Sequence, residues 1–173
     1  RLLRERHQIR ADEINAIAVG FLPGSDTALI STNPQTGLEG KFSVEYALAA
    51  MMFDGKLTLE SFTDAMVQRA AIRELMAKVR RYRIEDDKVY GLDASTDIEI
   101  DTRRGQFRMR VERTPGSPGW PVPDADRRAK FMDCAARVLG ANDARNLLEL
   151  AQRCEKLPVI RQLLKRTVPT VTT

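Results

Sequence analysis

Asp97-Ile98-Glu99-Ile100-Asp101-Thr102-Arg103-Arg104-Gly105-Gln106-Phe107-Arg108-Met109-Arg110-Val111-Glu112 alternates apolar and polar residues on both sides of a glycine-containing centre. A period of two puts Ile98, Ile100, Phe107, Met109 and Val111 on one face of a pleated ribbon. Glu99, Asp101, Arg108 and Arg110 fall on the other face. Arg103-Arg104-Gly105 is the turn, so the stretch is a β-hairpin with one face to bury. The rest of the chain must supply the cover, and most of it reads as helix.

Upstream, residues 14–22 are rich in Ile, Val, Ala and Phe without helical spacing, and Pro23-Gly24 ends them as a strand. Residues 25–40 hold Asn33-Pro34 and two glycines and read as a long loop. Ser43 is placed to cap a helix running to Phe53, with Gly55 just beyond as its stop. Val44, Ala47, Leu48, Met51 and Met52 form its apolar stripe, and Tyr46, Ala50 and Phe53 make the opposite side apolar too. A helix of that kind is expected to be buried all round. Thr58 is placed to cap a short helix through Ala65. Ile72, Leu75, Met76 and Val79 predict an amphipathic helix ending in the basic run Arg80-Arg81-Tyr82-Arg83.

Downstream, residues 114–123 carry four prolines and two glycines and cannot be regular structure. A helix then starts at Asp124 or Asp126, with Phe131, Cys134, Ala135, Val138 and Leu139 facing inward before Gly140. A second spans residues 143–155, with Leu147, Leu148, Ala151 and Cys154 in register, and a short one follows Pro158. Residues 167–173 read as a loose tail. The expected class is α+β: a small, mostly antiparallel sheet packed with helices, followed by a helical C-terminal segment. The expected division is residues 1–123 and residues 124–173.

The chain has 173 residues, and 28 Lys+Arg against 24 Asp+Glu give a net charge of +4. Its 43% hydrophobic and 30% charged residues exclude a disordered or collagen-like chain. The apolar stretch from Tyr46 to Phe53 is far short of the ~20 residues that span a bilayer, and no secretory signal is visible. Cys134 and Cys154 form no CxxC pair and fit a reduced compartment, so the expected location is cytoplasmic. The first residue is Arg1, with the apolar pattern already running. The expectation is a C-terminal part of a longer polypeptide.

Chemistry is sparse. General acid–base work most often uses histidine, and the one present, His7, lies in a charged helical stretch where a solvated surface role is expected. One histidine and two distant cysteines offer no zinc site. Gly37-Leu38-Glu39-Gly40-Lys41-Phe42-Ser43 has two residues between its glycines and Phe42 after the lysine, so it fails as a nucleotide loop. It still places a lysine and a hydroxyl at a helix N-terminus, where a carboxylate would be attracted. Plain capping by Ser43 with Lys41 in solvent is the competing reading. Glu85, Asp86, Asp87, Asp93 and Asp97 crowd one region without the ligand order of a calcium loop. Residues 103–113, with Arg103, Arg104, Arg108, Arg110 and Arg113, form a basic hairpin that could serve a stand-alone binding module. Nearby acids offset it, and few aromatics are interleaved for stacking.

One run carries more than its spacing. Asn33-Pro34-Gln35-Thr36-Gly37-Leu38-Glu39-Gly40-Lys41-Phe42-Ser43-Val44-Glu45-Tyr46-Ala47-Leu48-Ala49, followed by Asp54-Gly55, resembles the MmgE/PrpD family of 2-methylcitrate dehydratases, cis-aconitate decarboxylases and related epimerases. Ala11-Asp12-Glu13-Ile14, Arg73-Glu74-Leu75 with Lys78-Val79, and the segment from Gly116 through Pro121 to Lys130-Phe131 match further pieces in order. The resemblance implies a two-part, cofactor-free homodimeric enzyme acting on small di- or tricarboxylates, with a large helical domain and a smaller α+β lid. This chain resembles most of the lid plus the helices that return to the helical domain, which would precede it. The family's acid–base residues lie mostly in parts absent from this sequence, so no catalytic residue is expected here, His7 included. Lys41, Ser43 and Tyr46 match the family run and are the expected substrate-binding residues. Residues 25–34 contain no tyrosine, unlike the decarboxylase branch, so dehydration is favoured. No metal, nucleic-acid or membrane partner is expected.

Overall fold

The computed structural model describes residues 1–85, 94–117 and 119–169. Its contacts divide into two compact units, Arg1–Pro121 and Val122–Thr173.

In the first unit, helix α1 (Leu2–His7) buries Leu3 and ends at Gln8, whose φ of 49° turns the chain. A 3-10 turn at Ala11–Glu13 leads into strand β1 (Ile14–Phe21). The long connection expected after β1 holds one short helix, α2 (Gly37–Gly40). Helix α3 (Val44–Asp54) starts where Ser43 Oγ accepts from the Tyr46 amide and stops at Gly55, left-handed at φ 75°. A 3-10 turn at Glu60–Phe62 precedes α4 (Asp64–Val67) and α5 (Ala70–Met76). Strands β2 (Val79–Arg83), β3 (Thr96–Thr102) and β4 (Gly105–Val111) complete the unit.

The described strands form one sheet in the order β2-β1-β3-β4. β1 pairs parallel with β2 and antiparallel with β3, and β3 and β4 are the expected hairpin. The register sets Val79, Ile17, Ile100 and Phe107 in one rung across all four strands. Arg81, Val19, Ile98 and Met109 form the next rung on the same face. That face meets α3 and α5, and Ile14, Ile17 and Ile100 share a core with Tyr46, Ala49, Ile72 and Leu75. On the opposite face Tyr82 neighbours Gly20, where a Cβ would come within 2.5 Å of the Tyr82 ring.

Three readings of the sequence change in this unit. The basic run at residues 80–83 is strand, not the end of a helix. α5 stops at Met76, and Val79, which fits the helical period, instead joins the apolar rung beside Ile17. Alternation then turns Arg81 and Arg83 toward buried acids on the helix-covered face. The deeper side of α3 is the one with Glu45, Tyr46, Ala49, Ala50 and Met52, while Val44, Ala47, Leu48 and Met51 are half-buried and Phe53 is exposed. Thr58 does not cap a helix through Ala65. Its amide donates to Ser61 Oγ, and the segment splits into the 3-10 turn and α4.

The second unit holds α6 (Asp124–Leu139), α7 (Ala141–Ala151) and α8 (Arg161–Leu164), with 3-10 turns at Cys154–Lys156 and Lys165–Thr167. Ala144 and Leu147 are buried. α6 packs chiefly on α7 and buries no residue fully, so Val138, expected inward, is exposed. Cys154, also expected inward, lies beyond the end of α7, has lost its helical register and is exposed.

Candidate functional site

The residues that carry the resemblance build a platform out of internal bonds. Pro34 is buried, and the carbonyl of Pro34 and Oδ1 of Asn33 accept from Arg73 NH1 and NH2 at 3.0 and 2.7 Å. Thr36 Oγ1 accepts from the Glu39 amide at 3.3 Å, and Glu39 Oε2 accepts from the amides of Thr36 and Gln35 at 3.1 and 2.5 Å. This reciprocal capping box closes α2 on itself. The Gly37 amide donates to Asp64 Oδ1 at 2.7 Å, and a Cβ at Gly37 would lie 1.9 Å from the Phe62 carbonyl oxygen. Only a glycine allows that approach. Gln68 Nε2 donates to the Gln35 carbonyl at 2.6 Å.

Residues of the matched pieces outside the Gly116–Phe131 segment behave in the same way. Asp54 pairs with Arg69 at 2.5 Å, Lys78 Nζ donates to the Ile14 carbonyl at 2.9 Å, and Glu13 holds Arg104 at 2.7 Å. Their polar groups lock segments far apart in sequence.

Of the three expected site residues, two turn inward. Ser43 is 1% exposed; its Oγ caps Tyr46 at 3.2 Å and donates to Glu45 Oε2 at 3.2 Å. Tyr46 is 0% exposed, donates its hydroxyl to the Ser61 carbonyl, and meets the Phe62 ring edge-on at 5.9 Å. Burial raises the Tyr46 hydroxyl above the usual tyrosine range. Lys41 alone faces solvent, and its ammonium has no hydrogen bond or ion pair among the described residues. Exposed Leu38 and Phe42 stand beside it in the chain, and Ile30 is brought near Phe42 because the Ser31 amide donates to the Phe42 carbonyl at 3.0 Å.

The helix start expected to attract an external anion already holds one of the chain's own. Glu45, 6% exposed, sits in the first turn of α3 and is gripped by Arg81: Nε to Oε1 at 2.7 Å and NH2 to Oε2 at 2.8 Å. The Glu45 carboxylate raises the Arg81 pKa further. Arg81 NH1 also donates to the Leu29 carbonyl at 2.7 Å and lies 3.7 Å from Asp26, which pairs with Arg83 at 2.5 Å. Sequence reasoning missed this network. Its signal was Glu45 itself, a carboxylate on a helix read as buried all round, which demands a cation partner.

The remaining candidates have structural surroundings of their own. His7 is not a free surface group: it is half-buried, its ring lies 4.6 Å from that of Phe107, and its carbonyl accepts from Arg104 at 2.9 Å. Arg108 faces Glu99 at 3.5 Å, and Arg110 lies 3.8 Å from Asp97 and 3.6 Å from Glu112. Of the crowded carboxylates, Asp86, Asp87 and Asp93 lie outside the described residues. Among the described residues no group of three His, Cys, Asp or Glu could hold a metal ion. None of the described helices is long and apolar enough to cross a membrane.

Comparison with known proteins fits this arrangement into one family. The family model of the MmgE/PrpD C-terminal domain matches residues 1–156. The chain is 28% identical to mouse cis-aconitate decarboxylase over 136 residues, which are 76% of this chain and 28% of that protein. It is 26% identical to human cis-aconitate decarboxylase over 140 residues, 79% of this chain and 29% of that protein. The matched part thus spans less than a third of these relatives. The chain belongs to the MmgE/PrpD family as its C-terminal domain, and the relatives it matches are lyases.

Proposed function

We propose that this chain is the C-terminal part of a cofactor-free lyase or isomerase acting on small di- or tricarboxylates, and that Lys41 is its substrate-facing charge. The observation that carries the reading is an exposed ammonium with no hydrogen bond or ion pair among the described residues, on a loop where the Gln35 and Gly37 amides and the Pro34 carbonyl are bonded within the chain. Lys41 would hold a substrate carboxylate by a charge-assisted hydrogen bond worth ~1.5–3 kcal/mol. Ser43 and Tyr46, first expected to touch substrate, serve in this proposal by fixing the helix that follows Lys41.

The proton-transfer groups are assigned to a helical domain outside this sequence, in a cytoplasmic homodimer. Within the chain, the one histidine is packed on Phe107 and is given no catalytic part. The family resemblance favours water loss from a 2-methylcitrate-like hydroxy-tricarboxylate over decarboxylation, since the decarboxylase branch carries a tyrosine in the loop where residues 25–34 have none.

The test is a product assay on the complete native polypeptide and, separately, on residues 1–173. The complete protein should convert 2-methylcitrate to an unsaturated tricarboxylate with release of water, and residues 1–173 should convert nothing. Carbon dioxide released from cis-aconitate would replace dehydration with decarboxylation. Turnover by residues 1–173 alone would overturn the division of labour.

A further inference from the structure

We infer that Arg81 is a positioning residue: its guanidinium fastens the segment carrying Leu29 and Ile30 to the start of α3, so that two loops present Lys41 as one rigid wall. This rests on the proposed role of Lys41 in holding a carboxylate.

Three stretches distant in sequence meet at this one side chain. Two nitrogens of its fork take both oxygens of Glu45, and the third donates to the Leu29 carbonyl. Asp26 stands at 3.7 Å and is also held by Arg83 at 2.5 Å. The side chains of Glu45 and Asp26 are each 8% exposed and that of Arg81 21%, so little water competes for these bonds.

Two carboxylates against two guanidinium groups leave the cluster neutral. Its effect on a substrate anion is therefore geometric rather than electrostatic. A second fastening, Ser31 amide to Phe42 carbonyl at 3.0 Å, lies next to Lys41 itself. With both in place, residues 29–31 and 41–43 cannot move apart independently. A lysine at position 81 would keep the charge but not the planar fork that reaches two oxygens and a carbonyl at once.

The prediction separates positioning from mere stability. Loosening a loop that binds ground state and transition state alike raises KM and spares kcat, whereas loss of folded protein lowers apparent kcat and spares KM. In the complete native enzyme, Arg81→Lys should raise KM for its tricarboxylate about tenfold with kcat within about threefold. Asp26→Asn, a milder variant should Arg81→Lys not fold, should raise KM about threefold. Hydrogen exchange should speed up together at the amides of residues 26–31 and 41–46, with the β3–β4 hairpin unchanged. An unchanged KM, or exchange loosened in one segment only, would overturn the inference. If the wild-type enzyme turns over no tricarboxylate, that failure belongs to the functional reading, and paired or unpaired exchange then decides the role of Arg81.

Discussion

The chain carries positive charge on two surfaces of its first unit, and it treats them in opposite ways. On the hairpin, Arg104, Arg108 and Arg110 each face a carboxylate: Glu13, Glu99 and Asp97. On the platform, Lys41 faces none among the described residues, while the Thr36 and Gly37 amides near it are bonded within the chain. Paired cations on an exposed sheet face present little net potential to a phosphate chain, and such surface pairs are worth ~0–1 kcal/mol each. An unpaired cation on an anchored loop keeps its charge available for a ligand. Exposed Arg103 in the hairpin turn, like Lys41, has no ion pair among the described residues, so what sets Lys41 apart is the bonding of the loop that carries it rather than the lack of a partner.

The comparison breaks most visibly if the platform is not anchored as described. Removing the ring of Tyr46, buried beside Phe62 under the platform, should cost the most: Tyr46→Ala is expected to lower stability by ~3–5 kcal/mol. Urea unfolding measures it, and a loss under 1 kcal/mol would place Tyr46 outside the core. Gly37→Ala is next. Its methyl group would meet the Phe62 carbonyl oxygen, so a loss of ~1–3 kcal/mol is expected, together with faster hydrogen exchange across residues 35–43.

The hairpin should respond far less. Arg108→Ala with Arg110→Ala should cost ~1 kcal/mol or less in the same unfolding assay. Salt-dependent binding to nucleic acid, abolished by that double change, would instead reinstate the hairpin as a binding module. Acid titration sharpens the contrast further. The Arg104 guanidinium holds the Glu13 carboxyl below the usual carboxylate range. Its folded-state value is depressed, so its stabilising share is present above the ordinary carboxylate pKa and is lost as pH falls through the lowered one. Glu13→Gln should therefore lower stability slightly at neutral pH, flatten the acid limb of the profile, and leave stability unchanged below the lowered value.

Local pattern made much of the fold legible. The hairpin, β1, and α3 with its Ser43 cap and Gly55 stop all follow from period, cap and turn residues close together in sequence. Strand β2 did not, because its arginines are tolerated on the helix-covered face only through Glu45 and Asp26, which lie 36 and 57 positions away. Parallel pairing with β1 is equally invisible locally. In the second unit the apolar spacing of α6 was legible but its burial was not, since burial depends on what packs against the stripe. For the proposed site, the motif drew attention to the loop that carries Lys41. It could not separate an outward lysine from the inward serine and tyrosine, because capping and ligand binding ask for the same residues at a helix start.

In the proposed role, Lys41 binds the substrate carboxylate while the residues around it hold the loop. Lys41→Ala in the complete native enzyme tests this most directly, with KM for a tricarboxylate and unfolding stability measured on the same preparation. Stability should stay within about 0.5 kcal/mol of wild type. KM should rise roughly ten- to a hundredfold, the equivalent of one lost charge-assisted bond. An unchanged KM, or a KM change accompanied by a large loss of stability, would contradict the account.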